Sequence, residues 1–373
     1  MLPGLEHTFE SEPKVLIIPP SYFASDRIIG GGERYAFEYA RALADRTPTT
    51  FCLFDRKSSK STAGTLTMKT LSIKHHDERR AFPITAKSWR ALSEYEVFHI
   101  MVFPTPLTDL LILSALIRKQ KVVLTDVGGG GPCWSTYLQK LNRRANVNRL
   151  AHGLALLSKH SATFFTDWPQ PQTVLYGGVN LREFTATEAK PNGYALFVGR
   201  LLPHKGVLPL IQAISSETPL HIVGRPYDED YLRKLQHVAV GKNVRFILNA
   251  DDSELKRQYA GASVVLQPSL PSDDVKISKS ELLGLVTLEA MACGKPVIVT
   301  RTDSLPDLVV EGKTGFVVAP HDLAALRSHI ELLINNASLS QTMGAASREL
   351  VEKNFTWSSV AQRGLDFYRQ LYS

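Results

Sequence analysis

The chain has 373 residues, of which 44% are hydrophobic, and a formal net charge of +7. At roughly 150 residues per domain that length suggests two or three domains. The composition excludes a disordered, collagenous or low-complexity chain. Three cysteines, Cys52, Cys133 and Cys293, stand far apart with no C-x-x-C between them. This excludes a locally written zinc ribbon or redox pair and fits a reducing compartment. Small buried thiols are the expected reading of all three.

The first residues carry neither a basic start nor an apolar run, so no signal peptide is expected. The most apolar stretch, Leu110 to Ile117, is too short to span a bilayer. A soluble, cytoplasmic protein is expected, touching the inner face of a membrane from the side. The basic excess is confined to one half. Residues 1–185 hold 23 Lys and Arg against 16 Asp and Glu, while residues 186–373 hold 20 of each. That asymmetry suits anionic lipid headgroups or a phosphate-bearing substrate. No recognised nucleic-acid-binding motif accompanies it, so nucleic acid is not expected as a partner.

Taken in chain order, Lys14 to Pro19 is a short apolar run, predicted as a buried parallel strand. Gly30-Gly31-Gly32-Glu33 is predicted as a glycine loop, and Arg34 to Leu43 as a helix with Tyr35, Tyr39 and Leu43 at helical spacing. Thr50 to Phe54, Val97 to Val102 and Lys121 to Thr125 are predicted as strands, and Asp109 to Arg118 as a helix. The second half repeats the pattern. Strands are predicted over Ala195 to Val198, Leu220 to Val223, Val244 to Leu248, Val264 to Gln267 and Pro296 to Thr300. Helices are predicted over Leu208 to Ser215, Tyr231 to Val240, Ser253 to Ala260, Gly284 to Ala292 and Leu323 to Asn335. Strand–helix alternation in both halves predicts an α/β fold with two tandem, doubly wound, Rossmann-like domains. The polar segment Val179 to Gly193 is the expected linker. The expected domains are 1–185, 186–355 and a terminal helix over 356–373. Two such domains commonly place a site in the cleft between them, at the carboxyl ends of their strands.

The most informative stretch is Glu281 to Phe316. Gly284 opens a helix that Cys293-Gly294-Lys295-Pro296 closes, with Gly294 suited to the C-terminal cap and Pro296 unable to continue. Backbone N–H groups around Leu283, Gly284, Leu285 and Val286 can hold an anion at the helix start. Glu289 stands among Leu288, Ala290, Met291 and Ala292, where a carboxylate needs hydrogen-bond partners. Asp228-Glu229-Asp230 fits an Asp-x-Asp pattern. Its place just before a helix reads as helix-start chemistry rather than a metal site.

The stretch from Glu281 to Phe316 closely resembles the donor-domain signature of family 4 glycosyltransferases, which have the GT-B fold. Phe197-Val198-Gly199-Arg200 with Lys205-Gly206 is similar to a second family segment. Gly177-Gly178-Val179-Asn180 with Phe184 is similar to the family's linker, and Gly30-Gly31-Gly32-Glu33 to its first-domain glycine loop. The resemblance runs from about Lys14 to Phe355 and is weak between residues 50 and 175.

The resemblance implies a retaining hexosyltransferase that takes its sugar from a UDP- or GDP-sugar, with no metal or other cofactor. The acceptor would be a glycan or lipid-linked molecule held by the first domain, in cell-surface polysaccharide or glycolipid synthesis. The donor would lie on the second domain, and the terminal helix would cross back to the first. Arg200 and Lys205 would stabilise the departing diphosphate, Gly31 and Gly32 would approach the phosphates, and Gly199 and Gly224 would lie under the nucleotide. Glu281 would orient the sugar, and Glu289 would hold the ribose. Base contacts would come from the backbone near Asn249-Ala250.

Two departures stand out. Glu281-Leu282-Leu283-Gly284 replaces the family's usual E-G-F-G, and Asp126 stands where members often carry a His, before four glycines at 128–131. Asp126 either substitutes for that His or merely caps a loop. His99, at the end of a strand, is expected in the core. These departures leave open a second reading, a catalytically impaired nucleotide-sugar-binding regulator or partner. A nucleotide-sugar epimerase is a third.

Overall fold

The computed structural model describes residues 12–20, 31–73, 85–101, 106–127, 147–186, 193–271 and 283–373. Glu281, Leu282, Asp273, Asp274, Cys133 and the glycines at 128–131 lie outside the described residues. The chain divides into two compact units, Met1–Gly178 with Trp357–Ser373, and Val179–Thr356.

The first unit is built on eight strands: β1 (Val15–Ile18), β2 (Thr49–Asp55), β3 (Ser59–Ala63), β4 (Leu66–Ser72), β5 (Val97–Ile100), β6 (Lys121–Leu124), β7 (Gly153–Leu156) and β8 (Gln172–Val174). Their order is β3-β4-β2-β1-β5-β6-β7-β8. All the pairs are parallel except β3 with β4. The short apolar run predicted around residue 15 is the centre of this sheet, buried at every position of β1. That is the pattern of a strand covered on both faces.

The β3–β4 hairpin is a finding the sequence reading did not anticipate. Gly64 takes a left-handed conformation in the turn and lets the chain double back. Four of the five β3 residues are exposed, so β3 carries no apolar alternation to betray it. A polar strand of this kind is a usual way to finish a sheet edge.

The helix Gly31–Ala44 begins three residues earlier than predicted, so Gly31 and Gly32 form its first turn rather than a loop ahead of it. Glu33 in that turn complements the positive end of the helix dipole. Tyr35, Ala36, Tyr39, Ala40 and Leu43 are its buried stripe. The C-terminal helix Trp357–Gln370 packs alongside it, with the Trp357 ring edge-on to Tyr35 at 5.6 Å. Deeper in, the Tyr39 and Tyr368 hydroxyls meet at 2.7 Å.

The second unit holds β9 (Tyr194–Val198), β10 (Leu220–Val223), β11 (Val244–Ile247), β12 (Ala262–Gln267), β13 (Val297–Thr300) and β14 (Gly315–Val318). Their order is β11-β10-β9-β12-β13-β14, with every pair parallel. The strand order reverses between β9 and β12. In doubly wound sheets such a reversal opens a crevice at the carboxyl edge, where ligands bind. In the first sheet the reversal lies between β1 and β5. Among the described residues no helix is long and apolar enough to cross a membrane.

Candidate functional site

The carboxyl edge of the six-stranded sheet gathers most of the residues singled out in the second half. β9 ends in Val198, and Gly199-Arg200 follow at once. Gln267, the last residue of β12, donates from Nε2 to the Val198 carbonyl at 3.0 Å and so closes the strands across the switch point. From β13, the Thr300 hydroxyl donates to the Ser269 carbonyl, and Thr302 Oγ1 donates to the same oxygen at 2.9 Å. Three strand ends are thereby tied into one rim before any ligand arrives. Pre-fixed geometry of this kind spares a site the cost of ordering when it binds.

Two glycines on the rim are required by close approach. Gly206 has φ +71, and a Cβ there would stand 1.8 Å from the Pro268 carbonyl oxygen. A Cβ on Gly224 would stand equally close to the Gly199 carbonyl oxygen. The short 3-10 turn Pro203–Lys205 therefore rests directly on the segment after β12, and the Leu270 N–H donates to the His204 carbonyl at 2.8 Å. That contact fixes the Lys205 backbone on the same rim as Arg200. Lys205 is half-buried and Arg200 is exposed.

The helix Leu285–Ala292 opens onto this rim. Gly284 is its left-handed N-cap, and the turn Leu305–Leu308 packs against it through Leu308. Leu283, Leu285 and Val286 are partly exposed, whereas every residue from Thr287 to Ala292 is buried. The helix therefore presents its N-terminal turn and hides the rest. Gly294 ends it with φ +70, as its sequence position predicts.

Glu289 lies inside. Only 7% of it is exposed, and Tyr259 donates its hydroxyl to Oε2 at 3.1 Å. Phe184 of the linker motif stands edge-on to the Tyr259 ring at 5.9 Å, and the Phe184 carbonyl accepts from Arg348 at 2.9 Å. A linker phenylalanine thus braces the tyrosine that holds the carboxylate. Burial, with Glu289 nearby, pushes the Cys293 thiol up to about 12, which leaves it an inert core thiol. Lys295 is buried as well and donates to the Ala260 carbonyl at 2.7 Å, and the burial lowers its pKa. Its role is structural.

Asp228 caps the helix Glu229–Val238, with Oδ1 accepting from the N–H groups of Asp230 (2.8 Å) and Tyr231 (3.1 Å). The Asp-x-Asp pattern is used at a helix start. Asn249-Ala250 follow β11, the outermost strand on that side.

In the first unit the carboxyl edge carries Gly31, Gly32 and Asp126. A Cβ on Gly32 would lie 3.4 Å from the Val127 side chain, so the start of the Gly31–Ala44 helix sits beside the residue after Asp126. Asp126 is half-buried. Thr125, directly before it, is fully buried, and its hydroxyl meets His99 Nε2 at 2.6 Å. His99 Nδ1 meets the Tyr368 hydroxyl at 2.6 Å. His99 is thus a core residue, and burial pushes its pKa down to about 3.

Sequence reasoning missed Tyr259, Gln267 and Tyr227. Gln267 is brought to the rim by strand order, whereas Tyr259 comes from the helix Asp252–Gly261 and reaches Glu289 inside the unit. Tyr227 carried a signal, an aromatic residue in the turn after a strand that ends in glycine.

Residues 182–350 match the family model described as Glycosyl transferases group 1. An uncharacterized glycosyltransferase of Methanocaldococcus jannaschii is 33% identical over 199 residues, 53% of this chain and 53% of the relative. The D-inositol 3-phosphate glycosyltransferase of Corynebacterium diphtheriae is 32% identical over 180 residues, 45% of this chain and 40% of that protein. The chain spans about half the length of the curated relatives it matches. Among solved structures, sucrose-phosphate synthase from Thermosynechococcus elongatus superposes with a TM-score of 0.67 at 21% identity, covering 97% of this chain and 99% of that one. HepE from Anabaena in complex with UDP gives 0.72 at 19% identity, covering 96% and 100%. The fold is GT-B.

Proposed function

We propose, from the premise that residues 182–350 are a domain of the glycosyl transferases group 1 family, that the chain transfers a hexose from a nucleoside-diphosphate sugar to an acceptor with retention of anomeric configuration. The observation that carries this reading is the rim of the second sheet. There Arg200, the Lys205 turn and the open end of the Leu285–Ala292 helix are fixed around one switch point. Breaking the bond between sugar and diphosphate leaves added negative charge on the phosphate. Preorganised cations and free backbone N–H groups stabilise that charge without reorganising as it develops. The UDP in the HepE structure supports a nucleotide ligand for this fold.

In this reading Arg200 and Lys205 take the departing diphosphate, and Gly199 and Gly224 let the ends of β9 and β10 pack closely beneath the nucleotide. The backbone of Leu283, Gly284, Leu285 and Val286 faces the phosphates. Glu289, oriented by Tyr259, holds the ribose. Glu281 orients the sugar hydroxyls, as the family resemblance implies. Asp126 stands in for the family's usual His, and Gly31 and Gly32 admit the phosphates. These cations do the work a metal does in one-domain transferases, so no metal is required. Asp228, committed to its helix, is consistent with that. The basic excess of residues 1–185 favours an anionic acceptor, such as a lipid-linked pyrophosphate sugar or a growing surface glycan at a cytoplasmic membrane face.

The test is release of free nucleoside diphosphate from UDP-, GDP- and ADP-sugars, with and without candidate acceptors. Acceptor-dependent release from one nucleotide family is expected. Binding without release under any condition would instead identify a nucleotide-sugar-binding regulator.

A further inference from the structure

Arg200 is exposed beyond the end of β9, and an extended cation in such a place can point many ways. The structure gives it one direction. The β9–β10 ladder does not stop at Val198 and Val223. Gly199 donates to the Val223 carbonyl at 3.0 Å, Leu201 donates to the Arg225 carbonyl at 3.1 Å, and an isolated parallel bridge joins Leu201 to Pro226. The pairing keeps the register of Val198 with Val223, so Arg200 lies opposite Arg225. Alternate residues of an extended chain share a face, which puts Tyr227, two positions after Arg225, on the same side as Arg200. Pro226 has no N–H to offer and ends the pairing there. The Arg200 guanidinium lies over the Tyr227 ring, 5.8 Å from its centroid.

Tyr227 is 65% exposed, although it is a large aromatic in a turn whose neighbours are polar. Asp228, the adjacent carboxylate, is engaged at its helix start. Among the described residues no carboxylate pairs with Arg200. The aromatic face is its support.

We propose that Tyr227 is a positioning residue for the diphosphate: its ring holds the Arg200 guanidinium over the carboxyl ends of β9 and β10, on the rim where the nucleoside diphosphate would bind. This rests on the nucleotide-sugar reading of the rim. A ring-face contact suits the task better than a carboxylate would. It orients the guanidinium without neutralising it, leaving the positive charge and the N–H donors for phosphate.

The test is calorimetric binding of UDP, GDP, ADP and the matching free nucleosides to the full chain, carrying Tyr227→Ala, Tyr227→Phe, Arg200→Ala or both alanines. An exposed cation–π contact corresponds to about a 2–5-fold effect. Tyr227→Ala is expected to weaken the preferred diphosphate by that factor and leave the nucleoside unchanged. Tyr227→Phe, which keeps the ring, is expected to bind as the wild type does. In the Arg200→Ala background, Tyr227→Ala should cause no further loss. Three results overturn the proposal: equal loss for nucleoside and diphosphate, which makes Tyr227 a base-stacking residue; additive losses in the double variant; or failure of Tyr227→Phe to restore binding. If wild-type protein binds none of the diphosphates, the underlying reading of the rim falls and the proposal falls with it.

Discussion

His99→Gln tests the polar line inside the first unit. His99 is fully buried between the Tyr368 hydroxyl and the Thr125 hydroxyl, each at 2.6 Å, and the Tyr39 hydroxyl extends the line. Burial pushes the imidazole down to about 3, from an ordinary value of 6.5. Burial likewise raises Tyr39 and Tyr368, so both stay neutral across the acidic range. Between pH 6.5 and 3 the unfolded chain therefore binds a proton at this position that the folded chain refuses. Stability must rise with pH through that window and be complete above it. One pH unit corresponds to about 1.4 kcal/mol. Going from pH 6.5 down to 4.5 should thus cost about 2–3 kcal/mol through His99 alone. Glutamine can hydrogen-bond to both hydroxyls but does not titrate. Urea unfolding of wild type and His99→Gln, repeated from pH 4.5 to 8, isolates the contribution, since the carboxylates common to both proteins cancel in the difference. The wild-type advantage should shrink by that amount as the pH falls to 4.5, and should be flat above pH 7. A difference that stays constant, or grows as the pH falls, would refute the buried neutral histidine.

Other outcomes follow from the rim. Gly206→Ala places a Cβ against the Pro268 carbonyl in a left-handed conformation. It should lower unfolding free energy by roughly 2–4 kcal/mol, with Gly193→Ala as a control that has the same sign of φ and open space around it. Tyr259→Phe removes a hydroxyl donor from the buried Glu289 carboxylate. About 1–3 kcal/mol of stability should be lost, and nucleotide affinity should fall with it. Excess chelator should leave sugar transfer at its full rate; a requirement for Mg²⁺ would contradict charge stabilisation by Arg200, Lys205 and the helix start.

Much of the fold was legible in the sequence because its strands are fully buried and its turns are punctuated. β1, β9 and β13 read as continuous apolar runs, and Gly199, Gly224 and Gly294 mark where elements end. The buried β7, the strand β14 and the helix Ala337–Asn354 escaped the reading, and other misses were polar or distant. The exposed β3 looks like a loop because nothing on it faces a core. The partner of His99 stands 269 residues away, on the last helix of the chain. Two glycines in sequence suggest a loop because glycine disfavours a helix interior, yet Gly31 and Gly32 stand in the first turn of the helix, with ordinary van der Waals space for a side chain beside Val127 at Gly32. At the candidate site, motif spacing picked out Arg200, Lys205 and Glu289. It could not reveal that Glu289 rests on Tyr259 or that Arg200 lies over Tyr227, because Tyr259 comes from the helix Asp252–Gly261 and Tyr227 from the turn after the neighbouring strand β10. The weak resemblance between residues 50 and 175 has a physical counterpart, since that stretch contains the polar edge hairpin of β3 and β4.

The central claim is that the rim of the second unit stabilises a departing nucleoside diphosphate. The most direct measurement compares wild type and Lys205→Ala for acceptor-dependent release of nucleoside diphosphate from the preferred sugar donor, alongside the thermal unfolding midpoint of each. Loss of one preorganised charge-stabilising group typically costs about 10²–10³ in turnover. Lys205→Ala should show a fall of that order in kcat with an unfolding midpoint close to that of wild type. An unchanged kcat in the variant would contradict the account.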